Sequence, residues 1–402
     1  MLMGQLTMEL YLKNLSLRYR QATKKEKGRM LDEYCATSGH SRKHAIKVIN
    51  NYKKRRTMPN KKKKDNRGRE PIYTSPALIR ALKNIWLASD QMCGKRLAPV
   101  IEQWLVHYDK HYQPLDEKLK QQLISMGSAT IDRLLRPYKV RYPKGRTGTK
   151  PGSLLKTKIP ILTDQWDNTI PGFVEADTVA HCGDTLAGDF IWSLDLTDIA
   201  TGWTEIRACW GKGSTEIVNN IKDIEECLPF KLKGFDCDNG SEFLNYHLLR
   251  YFAHPDDSER LRLQFTRSRP YKKNDNAHVE QKNWSHVRQL IGYARLDNKA
   301  LSPMLNDLYA NEVSLFNNFF RSCVKLLEKE RIGSKIKKKH SVAMTPYQRL
   351  MNSEHIDDAT KAKLKDKYDS LDPYKLQKAI QKKLKKIFML VSAKDLHSRV
   401  AI

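Results

Sequence analysis

The stretch from about residue 166 to 300 restricts the fold more than any other part of the chain. Phe173 to Val179 reads as a strand, Asp189 to Leu196 as a second and Trp203 to Trp210 as a third. Between the last two, Thr197-Asp198-Ile199-Ala200-Thr201-Gly202 is rich in turn formers, so they make a hairpin. Ser214 to Cys227 then sets Ile217, Val218, Ile221, Ile224 and Leu228 on one side at helical spacing. Leu232 to Cys237 reads as a fourth strand, Glu242 to Phe252 as a helix, Leu261 to Thr266 as a fifth strand and Asn276 to Tyr293 as a long helix. Three antiparallel strands followed by alternating helix and strand give an α/β fold, a mixed five-stranded sheet flanked by helices.

The 402 residues are too many for one ordinary domain. Residues 1–52 read as short helices. Lys24 to Ala36 carries Met30, Leu31 and Tyr34; after Thr37-Ser38-Gly39-His40, Ser41 begins a second helix to Tyr52 with Ala45, Ile46 and Ile49 on one face. Helix, glycine turn, basic helix is the helix-turn-helix pattern, whose second helix would offer Arg42, Lys43, His44, Lys47 and Asn50 to a major groove; a plain helical hairpin is the bland alternative. Residues 53–70, with Lys53 to Arg56 and Lys61 to Lys64, read as a basic linker. Residues 71–139 read as a second helical, helix-turn-helix-like domain. Leu78, Ile79, Leu82, Ile85 and Trp86 recur at helical spacing, and Ser125 to Leu135 again reads as turn then helix. Residues 140–165 form a second linker, rich in Lys, Arg, Gly and Pro. Residues 301–402 read as a basic helical region. It includes the cationic run Lys335 to His340 and an amphipathic helix Lys375 to Phe388.

A net charge of +28 attracts polyanions, of which nucleic acid is the commonest and an acidic membrane surface the rival. No stretch is long and apolar enough to span a bilayer. Glu9, Lys13 and Asn14 interrupt Met1 to Leu17, so it lacks a signal peptide's apolar core and the chain reads as intracellular. Seven scattered cysteines without a CxxC pair support neither a disulfide framework nor a zinc ribbon.

Three carboxylates stand where this sheet would gather them. Asp177 lies in the first strand, Asp238 ends the fourth, and Glu280 lies on the first turns of the long helix. Adjacent parallel strands present their ends together, and a helix packed over that edge adds the third. Three such groups repel and need a cation. Hard oxygen ligands select Mg²⁺ or Mn²⁺, and two such ions suit in-line displacement at a phosphodiester. Other acids compete. Glu175 alternates with Asp177; Asp195 and Asp198 read as hairpin-turn residues; Asp236 precedes Asp238 on the same strand face; Glu242 reads as the opening of a helix. His278 is a weaker ligand candidate, better suited to supporting the site or touching DNA. Arg267, Arg269, Lys272 and Lys273, with Tyr271 among them, precede the Glu280 helix, and Lys282, Trp284 and Arg288 follow on it. The cations would neutralise phosphates and an aromatic ring could stack on an unpaired base; core packing is the other reading of Trp284.

The run Asp238-Asn239-Gly240-Ser241-Glu242-Phe243 resembles the second-aspartate motif of retroviral integrases and related bacterial insertion-sequence transposases. Asn276 to Asn283, with Val279-Glu280 and Asn283, resembles their third motif, and Thr266 to Tyr271 matches the strand and loop before it. The resemblance covers roughly residues 170–295. It implies an RNase H-like core of the DDE type, with Asp177, Asp238 and Glu280 as catalytic metal ligands for two Mg²⁺ (or Mn²⁺) ions. It further implies mobile-element DNA ends as substrate, bound at their terminal repeats. In the family it resembles, water attacks first to free a 3′-hydroxyl, which then attacks target DNA. A dimer or larger assembly on DNA, and a cytoplasmic, nucleoid-associated place of action, follow from the same resemblance. The interval from Asp238 to Glu280 is longer than in retroviral integrases, and the surplus reads as a loop over Ala253 to Arg260. The His and Cys spacing of their N-terminal zinc module is missing. Two rivals stay open: a nuclease of the same fold that cuts without joining, and a catalytically silent DNA-binding regulator.

Overall fold

The computed structural model describes residues 5–57, 72–139, 169–238, 240–268, 277–332 and 335–391. The chain divides into two compact units, Met1–Ile72 and Tyr73–Ile402.

The first unit is three helices, α1 (Gln5–Gln21), α2 (Lys24–Ser38) and α3 (Arg42–Thr57). Thr23 opens α2 with a capping box, its backbone N–H donating to Glu26 Oε2 at 2.8 Å. Gly39 closes α2 at φ 68°, a left-handed conformation that glycine adopts without penalty. Leu15, Tyr19, Leu31, Tyr34, Ala45 and Ile49 form the small core. Arg42, Lys43, His44, Lys47 and Asn50 are exposed on α3, and so is Ile46, which the periodicity had placed inside. The helix also runs on to Thr57, through the basic run expected to be linker, because Lys and Arg are good helix formers. The remainder of that linker, and the one at 140–165, lies outside the described residues.

The second unit starts with α4 (Pro76–Ala88), α5 (Gly94–Leu97), α6 (Ile101–Tyr108), α7 (Glu117–Ile124) and α8 (Ser128–Leu135). Strands β1 (Phe173–Ala180), β2 (Ile191–Asp198) and β3 (Thr204–Trp210) follow, then α9 (Ser214–Cys227), β4 (Gly234–Cys237), α10 (Tyr246–Tyr251), β5 (Ala253–His254), β6 (Asp257–Leu261) and β7 (Gln264–Arg267). A single long helix combines α11 (Ala277–Lys282), a π-helical turn over Asn283–Arg288 and α12 (Gln289–Ile291). A second one combines α13 (Leu301–Asp307), a π-helical turn over Leu308–Val313 and α14 (Ser314–Phe320). Last come β8 (Leu326–Ile332), β9 (Lys335–His340), α15 (Pro346–Met351), α16 (Asp358–Ser370) and α17 (Pro373–Met389).

The main sheet has the order β3-β2-β1-β4-β7, with β1, β2 and β3 antiparallel and β1, β4 and β7 parallel. It is the mixed five-stranded sheet expected. Pleating sends alternate residues to opposite faces. Val174, Ala176, Leu194, Leu196, Phe235 and Cys237 join a core with Ile217, Ile221 and Ile224 of α9. Val179, Ile191, Ile206 and Ala208 join the other core, which takes in α12, α13 and α14 and continues into α4 to α8 and α15 to α17.

That continuity corrects the domain reading. Helices between residues 76 and 135 are not a separate domain but part of one core with the C-terminal helices. Trp104 of α6 makes edge contacts to Phe316, 6.0 Å between ring centres, and to Tyr374, 5.2 Å. Three other expectations change. Residues 253–261 form the β5–β6 hairpin rather than a loop. Residues 326–332 and 335–340 pair as the antiparallel β8 and β9 rather than as helix, held by cross-strand pairs such as Glu328 with Lys339 at 3.1 Å. And α10 starts at Tyr246, not Glu242, because Asn245 caps it by accepting from Leu248 N–H at 3.0 Å.

Candidate active site

Strands β1 and β4 run parallel with Ala176 abreast of Cys237, so the next residues, Asp177 and Asp238, stand side by side. The helix α11 crosses the same face and carries Glu280, which is exposed. Two links hold that helix against β1. Glu175 Oε2 accepts from the backbone N–H groups of His278 and Val279, both at 2.9 Å. A carboxylate against the first amides of a helix meets unpaired donors and the positive end of the dipole. One turn after Glu280, Asn283 Nδ2 donates to Asp177 Oδ2 at 2.7 Å, while Thr178 N–H donates to Asp177 Oδ1 at 2.7 Å. Asp177 is therefore fixed at both oxygens.

Asp238 is fixed by its own loop, accepting from Gly240 N–H at 2.8 Å. A side chain at 240 would push the two carboxyls aside, since a Cβ there would lie 2.6 Å from Glu242 Cδ and 2.7 Å from Asp238 Oδ1. Glu242 is buried. It accepts from Thr178 Oγ1 at 3.1 Å and pairs with Lys212, whose ammonium lies 3.9 Å from the centre of the Trp192 ring.

Burial dominates the electrostatics of these carboxyls. Burial, then the neighbouring Asp238 charge, pushes the Asp177 carboxyl up to about 7, with Glu280 adding to the rise. Burial first, then Glu242, raises Asp238. Burial pushes Glu175 up to about 8. Asp195 sits opposite Asp177 in the β1–β2 register, fully buried, and burial pushes it to about 8. Its Oδ1 accepts from Thr197 Oγ1 at 3.1 Å, while Oδ2 has no hydrogen-bond partner among the described residues. In charge and ligand type, carboxylates held this way fit a hard divalent cation. The described residues stop short of a closed shell: no three His, Cys, Asp or Glu side chains among them are grouped to hold an ion.

The structure thus brings Asp177 and Asp238 together and sets Glu280 on the helix pinned across them. Glu175 shares the face with Asp177, as its alternation implied. Asp198 keeps its turn role, accepting from Thr201 N–H at 2.7 Å and Gly172 N–H at 2.8 Å. Asp195 does not sit at the turn but in mid-strand. Asp236 is buried and accepts from Thr266 Oγ1. His278 is half-buried, and burial with the Lys325 and Lys282 charges depresses it to about 4, which leaves it neutral. Trp284 is 48% exposed and is no core residue.

The basic residues divide. Lys282 is corrected as a DNA contact: it is 6% exposed, and its ammonium donates to the Gly202 carbonyl at 3.1 Å. Arg267 is buried at the end of β7, abreast of Cys237. Arg288 is half-buried over the Tyr293 ring at 4.8 Å. Arg42 is exposed and paired with Asp32, and Lys43 and Lys47 are exposed. Arg269, Lys272 and Lys273, like Tyr271, lie outside the described residues. Sequence reasoning missed three roles: Glu175 as a clamp on the Glu280 helix, the buried Asp195, and the Glu242–Lys212 pair. The available signal was the polar alternation Glu175, Asp177 and Ser193, Asp195, Thr197 within strands whose other residues are mostly apolar.

The chain is 36% identical over 335 residues to an uncharacterized protein, y4rM, of Sinorhizobium fredii (strain NBRC 101917 / NGR234), covering 83% of this chain and 91% of that protein. No family model matches. Among solved structures, it is similar to the HTLV-2 integrase catalytic core domain in complex with magnesium, at 15% identity, a TM-score of 0.28, and 39% of this chain against 93% of that one. It is also similar to a chain of the simian T-cell lymphotropic virus intasome in complex with PP2A regulatory subunit B56 gamma, at 14% identity, a TM-score of 0.29, and 56% against 70%. What the site does chemically is read below from its own residues.

Proposed function

We propose that this chain, which belongs to the same family as the uncharacterized y4rM protein of Sinorhizobium fredii, is a DDE-type DNA transposase with an RNase H-like core. The observation that carries this reading is the placement of Asp177 beside Asp238 on neighbouring parallel strands, under a helix clamped by Glu175 and Asn283 that carries Glu280. Asp177, Asp238 and Glu280 are the residues that would hold two Mg²⁺ or Mn²⁺ ions. Bound there, the ions supply Lewis-acid stabilisation of the phosphoryl oxygens and a more acidic nucleophile. The chain's own part is to hold the carboxylates still. Asn283 and the Thr178 N–H orient Asp177, the Gly240 N–H orients Asp238, and the burial that raises the Asp177 pKa makes its ionised form depend on a nearby cation.

In this reading α2, the turn at Gly39 and α3 are a helix-turn-helix that meets the element's terminal repeats through Arg42, Lys43 and Lys47. Arg269, Lys272 and Lys273 meet phosphates near the cleaved strand. The protein acts as a dimer or larger assembly on the two DNA ends, in the cytoplasm at the nucleoid. No helix among the described residues is long and apolar enough to cross a membrane.

The test is strand cleavage and strand transfer by the purified full chain, with Mg²⁺, on labelled DNA carrying the element's own end, beside Asp238→Asn. Wild type should nick and join, and the variant should bind the DNA and do neither. Cutting without joining would make the protein a nuclease. Binding with neither step under any divalent metal would make it a regulator.

A further inference from the structure

We infer that the β8–β9 hairpin is a duplex-DNA arm, a two-stranded ribbon that lays one cationic face along phosphates beside the active site; this rests on the transposase reading above. Residues 326–340 carry Lys329, Arg331, Lys335, Lys337, Lys338 and Lys339 against only Glu328 and Glu330. The register sorts these charges. Glu328 stands opposite Lys339 and Glu330 opposite Lys337, whereas Lys329 stands opposite Lys338 and Arg331 opposite Ile336. Directly opposed residues share a face. One face therefore pairs two acids with two lysines and adds Lys335 opposite Ile332, and the other collects three cationic positions with no acid. Like charges directly opposed destabilise a ribbon, so this arrangement is not the one stability alone would select. A polyanion relieves it.

The ribbon is exposed as well as charged. Glu328, Glu330, Lys337, Lys338 and Lys339 are all exposed, and so are Leu326, Leu327 and Ile332. Its base is firmly seated. Cys323 N–H donates to Met344 O at 2.9 Å and Ser341 N–H to Lys325 O at 2.8 Å. Lys325 Nζ donates to Ala200 O at 2.9 Å and Arg349 Nη1 to Thr201 O at 2.8 Å, which ties the base to the β2–β3 turn. Lys282, two residues after Glu280, holds the same turn through Gly202 O. The ribbon thus leaves the core beside the helix that bears Glu280. A two-stranded ribbon has the width a major groove admits, and lysines on one of its faces meet phosphates without reading sequence.

The experiment measures binding of the full chain to a fluorescent 30-base-pair duplex (roughly three helical turns) as salt is varied. The first variant removes the unmatched face: Lys329→Gln, Arg331→Gln and Lys338→Gln together. The second removes the two matched pairs at constant net charge: Glu328→Gln, Glu330→Gln, Lys337→Gln and Lys339→Gln together. The first should flatten the salt dependence by about 2 to 3 units of log–log slope, at about 0.9 per lost phosphate contact. The second should keep the wild-type slope. Should the first variant fail to fold by circular dichroism, the pair Glu328→Gln and Glu330→Gln, which leaves every lysine, should tighten binding. Equal slopes in wild type and the first variant overturn the proposal. So does weakened binding to phosphatidylserine vesicles with DNA binding unchanged, and so does an unaltered affinity of the glutamate pair. A wild-type protein with a ribbon-dependent slope and no cleavage would refute the transposase reading alone.

Discussion

The two faces of the five-stranded sheet are built from the same strands, and around the middle of β1, β2 and β4 they bury different kinds of residue. Against α9, the alternate positions are Val174, Ala176, Leu194, Leu196, Phe235 and Cys237. On the other face the intervening positions there are Glu175, Asp177, Ser193, Asp195, Thr197 and Asp236, most of them buried, with the apolar Val179, Ile191, Ile206 and Ala208 around them. Burying a carboxyl costs free energy that an apolar residue of similar volume would not. Stability alone would make both faces alike. The strand period of two lets one strand serve as core on one side and hold a charged site on the other.

The largest expected effect is on catalysis. Asp177→Asn should lower strand cleavage by roughly a thousandfold or more, the scale of losing a group that acts as part of a unit. The melting temperature should hold or rise, because a buried ionisable group is gone. Loss of cleavage together with loss of folding would make the polar face merely structural. On the apolar face Phe235→Ala should do the reverse in kind, costing about 3–5 kcal/mol of stability through a cavity, read by denaturant titration. A cost as small as that of an exposed site would mean that face is not the core.

The pH dependence separates the faces next. Glu175, Asp177 and Asp195 are held in the fold at about 8, 7 and 8, above the unfolded carboxylate range near 4. Between those limits the unfolded chain sheds protons that the folded chain keeps. Their contribution is therefore fully present below about pH 4 and is lost as pH rises through the folded values. Asp195→Asn should flatten this fall, seen in melting temperatures taken from pH 4 to 9 without divalent metal. Parallel curves for wild type and variant would refute the burial assigned to Asp195. Smallest is Glu175→Gln, which alters the acceptor that the His278 and Val279 amides share at the start of α11 and should cost about 0.5–1.5 kcal/mol, with a lowered cleavage rate as Glu280 loosens. An unchanged rate would mean the clamp is not needed.

How far the sequence foretells this molecule differs by region. The strands and the placement of Asp177 next to Asp238 were legible because alternation, turn residues and short motifs are local signals. The burial of Lys282 was not, since it depends on the Gly202 carbonyl, 80 positions away. Nor was the partner of the 76–135 helices: periodicity marks Trp104 as buried, but not that it is buried against Phe316 and Tyr374. The β8–β9 hairpin reads as helix from composition, since lysines serve in either element and the register that pairs Glu328 with Lys339 is a long-range fact. Asp195 was visible as an alternating polar residue and was assigned to the turn only because the end of β2 was placed two residues early, at Leu196 instead of Asp198.

The most direct measurement is Mn²⁺ binding by the full chain with duplex DNA present, followed by electron paramagnetic resonance. Wild type should bind Mn²⁺, Asp177→Asn and Asp238→Asn should each lose that binding, and Asp195→Asn should keep it. Binding that survives both aspartate substitutions, or that wild type never shows, would contradict the assignment of the polar face to metal-dependent chemistry.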